Sequence, residues 1–145
     1  FRAAHPRASI HFESVGDVTG HWDAARLRQV LTNLIGNAID HGDENGRIDV
    51  MARSAGPKVL LTVTNPGPVI ASSALATLFD PFVRAASVAS SHKRQGGMGL
   101  GLYIAREIVT AHGGTISVAS SEAGGTVFTV SLPRHDERET PAPAA

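Results

Sequence analysis

The sequence contains no cysteine, which excludes disulfides, thiolate metal centres and a cysteine nucleophile and suits a reducing compartment. An excess of charge is missing too. Thirteen basic residues balance thirteen acidic ones, so no overall field draws nucleic acid or an anionic membrane. No apolar run approaches the length of a membrane span, and there is no signal-peptide pattern. What is present is a chain of 145 residues, 42% apolar, enough for one domain that buries roughly 70% of its extended-chain surface. It begins at Phe1 rather than methionine, which points to a segment of a longer protein.

Periodicity divides the chain. Residues Ala8 to Glu13 alternate as a strand does, and Gly16 to Gly20 form a turn. Asp23 is a helix N-cap, after which Leu27, Val30, Leu31, Leu34, Ile35 and Ala38 recur at helical spacing up to about His41. Gly42 to Gly46 ends that helix. Arg47 to Ala52 and Lys58 to Thr64 read as a hairpin, broken after it by Asn65-Pro66-Gly67-Pro68. A short helix is expected around Ser73 to Phe79, then a polar loop of functional length from Arg84 to Gly97. Leu100 to Ala111 is helical, His112-Gly113-Gly114 stops it, and Thr115 to Ala119 with Thr126 to Leu132 closes the domain as a second hairpin. Residues 1–134 form the domain, and 135–145 read as a disordered tail.

Two local patterns carry chemistry. In Gly96-Gly97-Met98-Gly99-Leu100-Gly101 the glycines allow close backbone approach, and the helix that follows offers free N–H groups to an anion. The spacing fits neither the dinucleotide fingerprint nor the P-loop, so taken alone it is either a phosphate-binding hinge or a linker that caps a helix. Asn33 and Asn37, four residues apart, share a helix face with Arg26, Asp40 and His41, opposite the apolar stripe. Such a face is either solvated or a set of neutral carbonyl acceptors able to ligate Mg2+.

Together with three further motifs, these resemble the boxes of the histidine-kinase catalytic and ATP-binding domain, in the superfamily that includes gyrase, the heat-shock chaperone ATPases and the mismatch-repair ATPases. Asn33-Leu34-Ile35-Gly36-Asn37-Ala38-Ile39 resembles the N box, and Asn65-Pro66-Gly67-Pro68-Val69-Ile70 the G1 box. Leu78-Phe79-Asp80-Pro81-Phe82-Val83-Arg84 is similar to the F box, Gly97-Met98-Gly99-Leu100-Gly101-Leu102 to the G2 box, and Gly125-Thr126-Val127-Phe128 to the terminal Gly-Thr strand. They occur in the family's order across Asp23 to Pro133. The resemblance implies an α+β, two-layer sandwich of Bergerat type, with a mixed, mostly antiparallel sheet packed against about three helices and carrying an ATP lid.

It also implies a protein-histidine kinase that uses ATP and Mg2+ in two-component signal transduction. Asn37 would be the metal ligand, supported by Asn33. His41 would lie against the purine, Asn65 would meet the adenine edge, and Gly67 and Ile70 would shape the base pocket. Thr126 would stand near the base. Phe79 and Phe82 would anchor the lid, and Arg84 would approach the terminal phosphate. Gly97, Gly99 and Gly101, with Leu100 and Leu102, would line the phosphates. Relatives that hydrolyse ATP commonly carry Glu at position 33, where it acts on water. Asn33 cannot be that base, which favours transfer to a better nucleophile over hydrolysis.

The sequence departs from the pattern at Asn65, where Asp is usual, at Val69, where a second glycine is usual, and at Asp40, where many kinases have a phosphate-directed Lys. Lys93 or Arg94 is the candidate to supply that cation. Nothing before Asp23 resembles a phosphoacceptor helix, and His5, His11, His21, His92, His112 and His135 read as surface or packing residues. The expected partner is therefore a dimerisation and phosphoacceptor domain elsewhere in the parent, with a response regulator acting indirectly. Nucleic acid and direct membrane contact are not expected. The fragment is expected to be monomeric and cytoplasmic, within a homodimeric parent that can be anchored in the inner membrane. The rival readings are an anti-sigma-factor-type serine kinase and a degenerate nucleotide-binding module.

Overall fold

The computed structural model of the chain describes residues 9–43, 46–81 and 100–134. Alternating side chains build strands at Ser9–Val15 (β1), Arg47–Ala55 (β2), Lys58–Asn65 (β3), Thr115–Ser121 (β4) and Gly125–Pro133 (β5). Helices form at Ala24–His41 (α1), Ser72–Leu75 (α2) and Gly101–Ala111 (α3). The strands make one five-stranded sheet in the order β1-β2-β3-β5-β4. β1 runs parallel to β2, and every other pairing is antiparallel. The expected two hairpins are both present, and the long-range β3–β5 ladder joins them.

Register explains the core. One row of side chains crosses the sheet as Val118, Phe128, Val63 and Val50, and the next as Ile116, Val130, Leu61 and Ala52. Val30, Leu34 and Ala38 of α1 and Leu102, Ala105, Ile108 and Val109 of α3 join this face in a single buried cluster. The sandwich is thus two layers, held mainly by removal of aliphatic surface from water. Phe12 continues the first row onto edge strand β1, beyond the cover of the helices, and is 61% exposed.

The ends of α1 are fixed by short-range chemistry. The Asp23 carboxylate accepts from the Arg26 N–H at 3.1 Å, the N-cap that the sequence suggests. At the other end Gly42 is extended rather than left-handed, so its glycine is explained by crowding. A Cβ there would stand 2.6 Å from the Ala38 carbonyl and 2.9 Å from Asn65 Nδ2. α2 is shorter than the expected Ser73 to Phe79. Its N-cap is Ala71, which has no side-chain acceptor, and beyond Leu75 the chain continues in isolated turns such as Asp80 N–H to the Thr77 carbonyl at 3.0 Å.

The opposite end of the sheet is closed by a clasp. The Trp22 indole donates to the Pro133 carbonyl at 2.8 Å, and the Arg134 guanidinium donates to the carbonyls of Gly56 and Thr19 and to Ser54 Oγ at 2.9, 2.8 and 2.7 Å. Nearby, hydrogen bonds from the Thr19 side chain and backbone hold the Asp17 carboxyl below its ordinary value. Among the described residues no helix is long and apolar enough to cross a membrane.

Candidate functional site

The apolar rows give way at one end of the sheet to a polar one. Ser120, Thr126 and Asn65 lie in register across β4, β5 and β3, on the face that holds the core. Thr126 is 5% exposed and Asn65 3%, so their polar atoms need partners. Asn65 Nδ2 donates to the Pro66 carbonyl at 3.0 Å, whereas its Oδ1 meets no donor among the described residues. An amide turned over would set Oδ1 against that carbonyl, two acceptors face to face, so Pro66 fixes Oδ1 as the amide atom left to accept. Ser120 Oγ accepts from the Ile70 N–H at 2.9 Å and lies 3.0 Å from Thr126 Oγ1.

The turn after β3 is stitched to the end of α1. The Asp43 N–H donates to the Pro66 carbonyl at 3.1 Å. Gly67 has φ +151°, and a Cβ on it would approach Gly42 Cα at 3.0 Å and the His41 carbonyl at 3.2 Å. Glycine at 67 is therefore required both by its backbone angle and by close approach. His41, in the last turn of α1, and Ile70 are half-buried beside this turn.

Along α1, Asn33 and Asn37 are half-buried on successive turns. Asn33 Nδ2 donates to the Gly101 carbonyl at 3.0 Å, which places the start of α3 beside the polar face of α1. Leu100 caps α3 with no side-chain hydrogen bond, so its first-turn N–H groups lack the usual local acceptor. The Asn37 side chain has no partner among the described residues, where no group of His, Asp or Glu could hold a metal either. Asn37 thus offers a hard cation a neutral amide oxygen, a fit for Mg2+ that is also held by phosphate.

The expected site residues in the described part therefore gather at one end of the sandwich: Asn33, Asn37 and His41 from α1, Asn65, Gly67 and Ile70 from β3 and its turn, Thr126 from β5, and Leu100 and Gly101 from the start of α3. Two side chains turn elsewhere. Leu102 is 8% exposed within the core, so only its backbone can face a ligand. Phe79 packs edge-to-face on Phe128, ring centroids 6.0 Å apart, and joins the core. Phe82, Arg84, Lys93, Arg94, Gly97 and Gly99, like the tail from 135, lie outside the described residues. Ser120 is a member of this polar row that motif reading does not single out. Its signal is its register opposite Thr126, which no linear spacing displays.

Comparison with known proteins identifies the family. Residues 22–136 match the family described as histidine kinase-, DNA gyrase B- and HSP90-like ATPase. The chain is 40% identical over 119 residues to the sensor histidine kinase ZraS of Escherichia coli K12, covering 82% of this chain and 24% of ZraS. It thus spans under a quarter of that relative's length. The catalytic domain of histidine kinase ThkA superposes with a TM-score of 0.76 at 35% identity, covering 92% of this chain and 83% of that one. The mycobacterial sensor histidine kinase MprB superposes with a TM-score of 0.80 at 26% identity, covering 93% and 89%. The chain belongs to the histidine kinase-, DNA gyrase B- and HSP90-like ATPase family, as a catalytic domain of the sensor histidine kinase type.

Proposed function

We propose that this chain binds Mg-ATP across the polar end of the sandwich and donates the γ-phosphate to a histidine on a dimerisation and phosphoacceptor domain outside the chain. The observation that carries this reading is the convergence there of a buried Asn65 acceptor with no donor among the described residues and the start of α3 beside the Asn33 and Asn37 face. Asn65 Oδ1 would accept from the 6-amino group of adenine, a role the usual Asp performs with charge. At the other end of the ligand, the first-turn N–H groups of α3, which have no side-chain cap among the described residues, suit phosphate oxygens, and Asn37 would hold Mg2+ to neutralise charge on the phosphates. Arg84 is assigned to the terminal phosphate.

The chemistry asked of the protein is positioning. A neutral imidazole attacks phosphorus with its own lone pair, the N–P bond forms as the bond to the bridging β,γ-oxygen breaks, and ADP leaves with that electron pair. No base is needed before attack, in keeping with an amide at position 33. The partners are the phosphoacceptor domain of the parent and, through it, a response regulator.

The direct test is calorimetric titration with ATP, with and without Mg2+, followed by addition of a dimerisation domain bearing an acceptor histidine. Binding, slow hydrolysis and an acid-labile phosphoryl group on that histidine are expected. Nucleotide binding with no transfer, or rapid hydrolysis in the absence of acceptor, would overturn the reading.

Asn33 offers a sharper check, because its amide hydrogen holds Gly101. Asn33→Asp keeps size and removes the donor, setting a carboxylate against a carbonyl and near phosphate. ATP affinity is expected to fall about tenfold by titration, the scale of one lost hydrogen bond with added repulsion. Unchanged affinity would show that the α1–α3 contact does not shape the phosphate end.

A further inference from the structure

The polar row has a member with no assigned role. Ser120 belongs to β4, the strand at the far edge of the sheet, and its hydroxyl reaches two elements of the base pocket at once. It accepts from the Ile70 N–H at 2.9 Å, tying down the turn that starts at Pro66, and it meets Thr126 Oγ1 at 3.0 Å. Away from the turn, the same face of β4 and β5 carries aliphatic or aromatic residues, Val118 beside Phe128 being the next pair. A hydroxyl pair at this one rung, half-buried on Ser120 and buried on Thr126, is therefore a local exception to the pattern of the face.

We propose that Ser120 is a positioning residue of the base pocket, which sets Thr126 as a donor beside the Asn65 acceptor and so selects a 6-aminopurine over a 6-oxopurine. The inference rests on the nucleotide reading above. Either hydroxyl can donate across the 3.0 Å pair, and in the proposed arrangement Ser120, which accepts from the Ile70 N–H, gives its own proton to Thr126 Oγ1. The Thr126 proton is then directed into the pocket. Asn65 cannot reverse its part, since Pro66 holds its Nδ2 and leaves Oδ1 as the acceptor. The row then presents an acceptor and a donor side by side. Adenine offers the complement, an amino donor at C6 and an acceptor at N1. Hypoxanthine and guanine reverse both, and their C6 oxygen would face Oδ1.

The test compares ATP with inosine triphosphate on the whole chain by calorimetry, for the wild type, Ser120→Ala and Ser120→Thr, with melting temperatures measured alongside. The alanine variant is expected to bind ATP about tenfold more weakly and inosine triphosphate almost unchanged, so that the preference for ATP collapses. Threonine, which keeps the hydroxyl and suits a strand, should restore both affinity and preference to within about twofold. Equal loss for the two nucleotides, wild-type behaviour of Ser120→Ala, or no rescue by threonine would each overturn the assignment while leaving ATP binding itself intact. A wild-type chain that binds no ATP would instead overturn the nucleotide reading, and this assignment with it.

Discussion

Asn37→Ala is expected to cut phosphoryl transfer by roughly two to three orders of magnitude, since a bound cation contributes several kcal/mol of charge stabilisation and each 1.4 kcal/mol is tenfold. The described residues include no group of three or more His, Asp or Glu that could hold a metal in its stead. Base recognition by Asn65 is set by a separate strand and turn, so nucleotide without Mg2+ should bind the variant about as it binds the wild type. Because the Asn37 side chain is half-buried and has no partner among the described residues, its removal should leave the melting temperature of the ligand-free chain within about 1 °C. Transfer assays across a Mg2+ series, with calorimetry in chelator, separate these outcomes. Full transfer by the variant, or loss of metal-free binding, would remove Asn37 from the metal site.

Gly125→Ala is expected to be the most damaging substitution for the fold, costing about 3 kcal/mol of stability. Two effects add there. The glycine sits at φ +70°, which an L side chain seldom adopts, and a Cβ would run into the Asn65 backbone carbonyl on the neighbouring strand. Relief would need β5 to move from β3 at the rung that carries Asn65 and Thr126. Gly56→Ala is the control, since φ is +67° but no atom lies within 4 Å of its Cβ position. It should cost only the backbone share, about 1 kcal/mol. Urea unfolding of both variants reads the difference, and equal midpoints would show that the collision is absorbed without strain.

Much of this architecture was legible in the sequence because short-range rules govern it. Leu27, Val30, Leu31, Leu34 and Ala38 repeat at helical spacing, and those most central on α1 are the ones buried. Asp23 caps as its chemistry dictates, and the hairpin turns fall between alternating runs. The α2 segment was read too long because its apolar residues, Leu75, Leu78 and Phe79, are arranged by docking on the core rather than by helix continuity. Leu102 follows the same logic. It lies inside a motif, yet the helix phase turns its side chain inward.

The pocket was legible only as a set of separated motifs. Asn65 and Thr126 stand far apart in the chain and become neighbours through the β3–β5 register, which no local pattern specifies. Ser120 was invisible for the same reason, since a serine in a closing hairpin looks like any solvent-side residue until its strand pairs. The fate of the two Asn65 amide groups also depended on Pro66, whose carbonyl direction is a property of the folded turn.

That carbonyl has a wider role. Pro66 accepts at once from the side chain of Asn65 and from the backbone of Asp43, the second residue past α1. A single oxygen shared in this way makes the turn after β3 and the end of the helix carrying Asn37 one mechanical unit. In an ATP-binding domain, ordering of that unit by one end of the ligand lowers the entropy left for the other end to remove, so base and Mg2+ should bind with positive thermodynamic linkage. By reciprocity, Mg2+ would then raise affinity for an adenine nucleotide more than for one whose base makes no contact with Asn65.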